Sequence, residues 1–229
     1  MDIPQHCEEF PVSVLAGSVT LAGDLVLPED AAGMVLFAHG SGSSRFSPRN
    51  RFVAHILQQA GLATLLLDLL TPQEEAVDLR TTRLRFDIQL LAERVVGAVE
   101  WLKHKPATQS LRIGLFGAST GAGAALVAAA ERPELIHAVV SRGGRPDLAG
   151  SALARVQAPT LLIVGGQDHP VIEMNQQALL QIPAEKRLDI VPGTTHLFEE
   201  HGTLEQVARL ATQWFCQYLA PTRPQRIIA

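Results

Sequence analysis

Five short runs in this chain are apolar almost without interruption: Met34–Ala38, Ala63–Leu67, Leu111–Phe116, Ile136–Val140 and Thr160–Val164. A strand buried on both faces reads this way, because neither side can carry polar groups. Between these runs lie amphipathic or Ala-rich stretches with helical spacing: Pro48–Ala60, Leu84–Lys103 and Ser119–Arg132. Beyond the last run come Ile172–Ile182 and Leu204–Leu219. Shorter helices are expected at Glu74–Leu79, which is acidic, and at Asp147–Arg155. Thr203 and Gln206 have the spacing of a capping box at the start of the last helix. Phe10–Leu15 and Val19–Leu27, parted by Ala16-Gly17-Ser18, predict an N-terminal β-hairpin, and Arg187–Val191 a final strand. The alternation confines the chain to an α/β architecture: a mostly parallel sheet of about eight strands with helices on both faces. Hydrophobic residues make up 47% of the 229, enough to fill one core. A single domain over residues 1–220 is expected, with a loose tail over 221–229.

In sheets of this kind, chemistry gathers at the carboxyl ends of the strands. Those ends present His39–Ser44, Asp68, Ser119, Ser141–Arg145, Asp168 and His196. Ser119 lies in Gly117-Ala-Ser-Thr-Gly121, between a strand and a helix that starts at once, which is the pattern of a nucleophile elbow. So sharp a turn strains the serine backbone and leaves no room for side chains at the flanking glycines. A serine hydroxyl needs a base near neutral pH. Among the eight histidines, His196 follows the last strand in Pro192-Gly-Thr-Thr-His and is placed to reach back over the sheet. Asp168, after a buried strand and Gly165-Gly166, supplies the acid; its other reading is an N-cap, and Asp68 is the second choice for the role. The backbone N–H of Thr120 and that of Ser41 are the expected oxyanion donors, with Gly42 the alternative to Ser41. Gly42, His39 and Arg142 are candidate substrate contacts. Arg142 or Arg145 would bind a substrate carboxylate, or else pair with a local acid such as Asp147.

The elbow, the His39-Gly-Ser-Gly-Ser-Ser44 loop and the closing Pro192-Gly-Thr-Thr-His-Leu-Phe-Glu-Glu200 resemble the α/β-hydrolase superfamily over nearly the whole chain. Within it they are most similar to the small dienelactone hydrolase-like group. Fewer than 20 residues part the strand at Ile136 from that at Thr160, so no cap domain is expected. The resemblance implies an α/β-hydrolase fold and an esterase-type activity with an open site. Dienelactone hydrolases proper are expected to carry cysteine at the nucleophile, where this chain has Ser119. A carboxylic ester or thioester is therefore the expected substrate class rather than a dienelactone. Some relatives of the group are joined to phosphoribosyltransferase domains; none is expected here. Acyl transfer or perhydrolysis by the same three residues is the alternative within enzymes, and a non-catalytic binding module the alternative outside them.

A net charge of -4 and a pI near 6.1 argue against nucleic-acid or anionic-membrane partners. The first residues lack a signal-peptide pattern, and no apolar run nears the roughly 18 residues of a membrane span. A cytoplasmic protein is expected, acting on a small-molecule ester as a monomer or small homo-oligomer. Cys7 and Cys216 read as free thiols, with a disulfide between them the other possibility. Phosphate-loop fingerprints and zinc-ligand spacings are missing, so neither cofactor nor metal is expected.

Overall fold

The computed structural model describes residues 8–220; Cys7 and the expected tail lie outside the described residues. Eight strands form one sheet: β1 Glu9–Ala16, β2 Val19–Val26, β3 Met34–Ala38, β4 Ala63–Leu67, β5 Ile113–Ala118, β6 Ile136–Arg142, β7 Thr160–Gly165 and β8 Lys186–Val191. Their order is β1-β2-β4-β3-β5-β6-β7-β8. β1 and β2 pair as the expected hairpin, β2 runs antiparallel to β4, and every other pairing is parallel. β3, β4, β5 and β7 are buried along their whole length, which is why their sequences run apolar without alternation. β8, at the edge, is largely open to solvent and correspondingly polar.

The described residues contain six α-helices: α1 Pro48–Gln59, α2 Pro72–Thr81, α3 Ile88–Lys103, α4 Thr120–Glu131, α5 His169–Gln181 and α6 Thr203–Leu219. Successive side chains of a strand point to opposite faces, so each central strand feeds two cores. Val35, Phe37, Phe116 and Val140 pack with α1 and α6. Leu36, Leu65, Leu115 and Val139 pack with α3, α4 and α5. In α4 only Glu131 escapes burial; its Ala and Gly residues let the helix press against the middle of the sheet.

The boundaries differ from the expected ones where side chains compete for backbone donors. The long helix expected from Leu84 begins only at Ile88. Asp78 accepts the Leu84 and Arg85 N–H groups at 2.7 and 3.1 Å, holding Leu84–Phe86 in a 3-10 turn. Asp87 then caps α3 by accepting the Leu90 N–H. The short acidic helix is longer than expected because Thr71 and Glu74 form a capping box before it. The box expected from Thr203 and Gln206 does not form: Gly202 is the N-cap, and the Thr203 hydroxyl donates to the Glu200 carbonyl. Residues Pro146–Arg155 form a 3-10 segment broken at Gly150, whose φ is 52°.

The chain leaves β3 for β4 on one side and then crosses back to β5 on the other. The carboxyl ends of β3 and β5 therefore frame the crevice where ligands settle in open α/β sheets.

Candidate active site

Ser119 closes β5, and α4 begins at the next residue. Its φ of 51° and ψ of -122° fall where a residue with a side chain is strained. α4 folds back so tightly that a Cβ on Gly117 would overlap Ala122, and one on Gly121 would overlap the carbonyl oxygens of Ala38 and His39. The two glycines of the elbow are thus required by close approach to α4 and to the end of β3. The result is a half-buried serine at the crevice.

Asp168 occupies the N-cap position of α5, yet its side chain makes no capping bond. Its Oδ2 instead lies 2.6 Å from His196 Nδ1. A carboxylate there accepts the Nδ1–H, so the ring's other nitrogen is left as the acceptor. The loop carrying His196 is pinned from within. Thr195 donates its N–H and hydroxyl to Glu200 Oε1, at 3.0 and 2.6 Å, and these bonds hold the Glu200 carboxyl below its ordinary range. Phe198 anchors the loop as a fully buried side chain at φ 56°. The Gln167 N–H donates to the Thr194 carbonyl, tying the acid loop to the histidine loop. Ser119 and His196 line one cavity of about 260 Å³, and no hydrogen bond joins the serine hydroxyl to the ring. Catalytic hydrogen bonds commonly form only when substrate is bound.

Of the expected oxyanion donors, the Thr120 N–H opens α4, where no intrahelical acceptor exists for it. The Ser41 N–H is already engaged, donating to Thr120 Oγ1 at 2.9 Å. The Thr120 hydroxyl uses a lone pair in that bond and keeps its own proton available. Gly42 is exposed at φ 69° beside it.

The remaining candidates separate clearly. His39 Nδ1 meets the Gly40 carbonyl at 2.9 Å, and its Nε2 accepts the Leu69 N–H at 3.1 Å. With both ring nitrogens used, His39 ties the β3 and β4 loops together and offers neither to a substrate. Desolvation lowers its pKa, against the opposing pull of the Gly40 carbonyl and Asp68. Asp68, the second choice for the acid, accepts the Arg45 N–H at 2.7 Å and pairs with its guanidinium. Arg145 is held by Asp147 through two bonds of 2.9 and 2.7 Å. Arg142 is buried beside Ser119 and reaches only Asn50 Oδ1, at 3.4 Å. Arg49 and Asn50 also line the cavity. Neither stood out in the sequence, since nothing local shows that the first turn of α1 faces the end of β6. Among the described residues no three His, Cys, Asp or Glu side chains cluster to hold a metal ion, and no helix is long and apolar enough to cross a membrane.

The profile of the dienelactone hydrolase family matches residues 25–219. Curated relatives from two strains of Mycobacterium tuberculosis, named provisionally as a phosphoribosyl transferase, are 58% identical over 97% of this chain. The chain spans about half the length of these curated relatives, 49% in each case. A crystal structure of a dienelactone hydrolase from Anabaena variabilis is 66% identical, with a TM-score of 0.93 over 94% of this chain and 100% of that one. Carboxyl esterase 2 from the fungus Tuber melanosporum, at 16% identity and a TM-score of 0.73 over 94% of this chain and 88% of that one, shares the fold.

Proposed function

This chain belongs to the dienelactone hydrolase family, and from that premise we propose that it is a serine hydrolase that cleaves carboxylic esters or thioesters through an acyl-enzyme. One observation carries the reading: Asp168 Oδ2 stands 2.6 Å from His196 Nδ1, and that imidazole shares a cavity with a serine held in strained elbow geometry. His196 takes the Ser119 proton as the oxygen attacks the carbonyl carbon. Asp168 holds the ring's tautomer and stabilises the imidazolium that forms. The charge that develops on the carbonyl oxygen is met by the Thr120 N–H and by the Thr120 hydroxyl, the Ser41 N–H being engaged by Thr120 Oγ1. The imidazolium then protonates the leaving alcohol or thiol as the tetrahedral intermediate collapses. Water, deprotonated by the same imidazole, cleaves the acyl-enzyme and restores the serine.

The phosphoribosyl transferase name belongs to proteins about twice this length, of which this chain matches about half. A Ser–His–Asp set serves acyl chemistry.

The test is Ser119→Ala against short p-nitrophenyl esters, paired with fluorophosphonate labelling of the wild-type protein. The variant is expected to lose roughly 1,000-fold or more in kcat with an unchanged circular dichroism spectrum, and the label to map to Ser119. Turnover close to wild type in the variant would reject the assignment.

A further inference from the structure

The cavity in front of Ser119 is electrically one-sided. Its lining includes Ser47, Arg49, Asn50, Arg142 and His196, with two guanidinium groups and no carboxylate. Arg142 extends from the end of β6 and is only 7% exposed. No acidic side chain pairs with it among the described residues. It has the long bond to Asn50 Oδ1, the Phe198 ring 5.9 Å from its guanidinium carbon, and an Nε with no partner. Burial, with Arg49 beside it, pushes its pKa down to about 10. Arg49 is paired at 3.2 Å with Glu199, whose side chain is 63% exposed, and its buried Nε is also without a partner. The first turn of α1, with Ser47 accepting the Asn50 N–H, adds the positive end of a helix of 12 residues.

Other arginines near the crevice have carboxylate partners, although the Arg45 Nε also lacks a hydrogen-bond acceptor. Arg45 pairs with Asp68 and Asp24, Arg85 with Asp78, and Arg145 with Asp147. A second cavity of about 200 Å³ shares Gly40, Ser41 and Ser43 with the first, and there Arg85 faces its own aspartate. Taking a cation out of water with no counter-charge is strongly unfavourable. An arginine so held, in a cleft beside a reactive serine, points to a bound anion.

We propose that Arg142, held by Asn50, and Arg49 form a subsite for an oxyanion group on the substrate, a carboxylate or phosphoryl group at the end away from the scissile ester. The proposal rests on the hydrolase reading of Ser119 and narrows its substrates to anionic esters. A guanidinium binds either anion through two parallel N–H donors.

The experiment compares kcat/KM of the full chain for three esters of one leaving group. These are p-nitrophenyl butyrate, mono-p-nitrophenyl glutarate and the p-nitrophenyl ester of 4-phosphonobutyrate. At least one anionic ester is expected to be preferred over the neutral one by roughly 100-fold, and which one separates a carboxylate site from a phosphoryl site. Arg142→Gln is expected to collapse that ratio towards unity, and Arg142→Lys to restore only part of it, since an ammonium lacks the planar fork. Equal kcat/KM for all three esters, or a ratio untouched by Arg142→Gln, overturns the proposal.

Thermal melting with millimolar glutarate or inorganic phosphate reads the same site without turnover. Either anion is expected to raise the Tm of the wild type and not that of Arg49→Gln, a substitution of a half-buried side chain that serves even if Arg142→Gln fails to fold. No rise with either anion overturns the proposal. Labelling of Ser119 without any anion preference rejects the subsite and leaves the hydrolase; an anion-dependent rise in Tm without labelling or turnover does the reverse.

Discussion

At the scale of single residues, Thr120 does more than its backbone position suggests. Its hydroxyl accepts the Ser41 N–H at 2.9 Å, so the loop after β3 is latched to the elbow next to Ser119. The same hydroxyl retains its own proton, free to be donated. Thr120→Val keeps the shape and removes both the latch and the donor. It is expected to lower kcat by roughly 100-fold, the usual cost of one oxyanion donor, with a smaller change in KM. Thr120→Ser, which keeps the hydroxyl, is expected to stay within a few-fold of wild type. Steady-state kinetics of the two variants on one neutral ester decides, and equal losses in both would show that the hydroxyl has no such role. That Ser119, Asp168 and His196 would gather at one end of the sheet was legible in the sequence because each follows a strand end. The Thr120 latch was not, because Ser41 and Thr120 are 79 residues apart and only the parallel pairing of β3 with β5 brings them together.

At the scale of elements, the β3 loop is positioned by charge as much as by packing. Asp68, at the end of β4, accepts the Arg45 N–H and pairs with its side chain. Arg45 also reaches Asp24 on β2, which is only 9% exposed and is shared with Arg51. Acids from two strands, β2 and β4, thereby hold one loop. Asp68→Ala leaves the Arg45 N–H without its acceptor and the guanidinium with Asp24 alone, and about 1–3 kcal/mol of stability is expected to be lost. Urea unfolding measures that loss. Faster hydrogen exchange over residues 40–47 should accompany it if the loop is what the pair secures. Helix existence was readable from apolar spacing, whereas helix starts were not. The expected start at Leu84 moved to Ile88 because Asp87 leaves the helical region, at φ -79° and ψ 84°, and caps the helix by accepting the Leu90 N–H. Asp78, on the preceding helix, holds the Leu84 and Arg85 N–H groups in the turn before it. Such a capture depends on where α2 ends, which spacing does not encode.

At the scale of the whole molecule, the fold places two histidines in surroundings that resist charging. Desolvation lowers the pKa of His39 and of His137 below the usual imidazole value, with Arg112 adding to the effect at His137. Between the folded and unfolded pKa values the unfolded chain binds more protons than the native one, so stability rises with pH there. The native state therefore has its full advantage above an unfolded pKa of about 6.5 and loses it progressively as the pH falls below that value. Melting temperature should fall between about pH 7.5 and about pH 5.5, and His39→Gln should flatten that slope while starting from a lower Tm. An unchanged slope in the variant would exclude His39 as a contributor.

The sequence by itself determined the layered architecture and the order of its functional groups. Strands buried on both faces must be apolar throughout, and a serine between two glycines at a strand end admits few other geometries. Tertiary structure alone decided which charged groups are satisfied. Arg142 and Arg145 are three residues apart and read alike in one dimension. Arg145 can turn to Asp147, two positions along the chain. Arg142, fixed at the end of a central strand, meets only what α1 and the His196 loop bring to it from 92 and 54–56 residues away, and these bring an amide, an aromatic ring and a second arginine. Charge compensation is settled by distance in space, and for a side chain on a buried strand that distance exists only after the sheet and its helices have assembled.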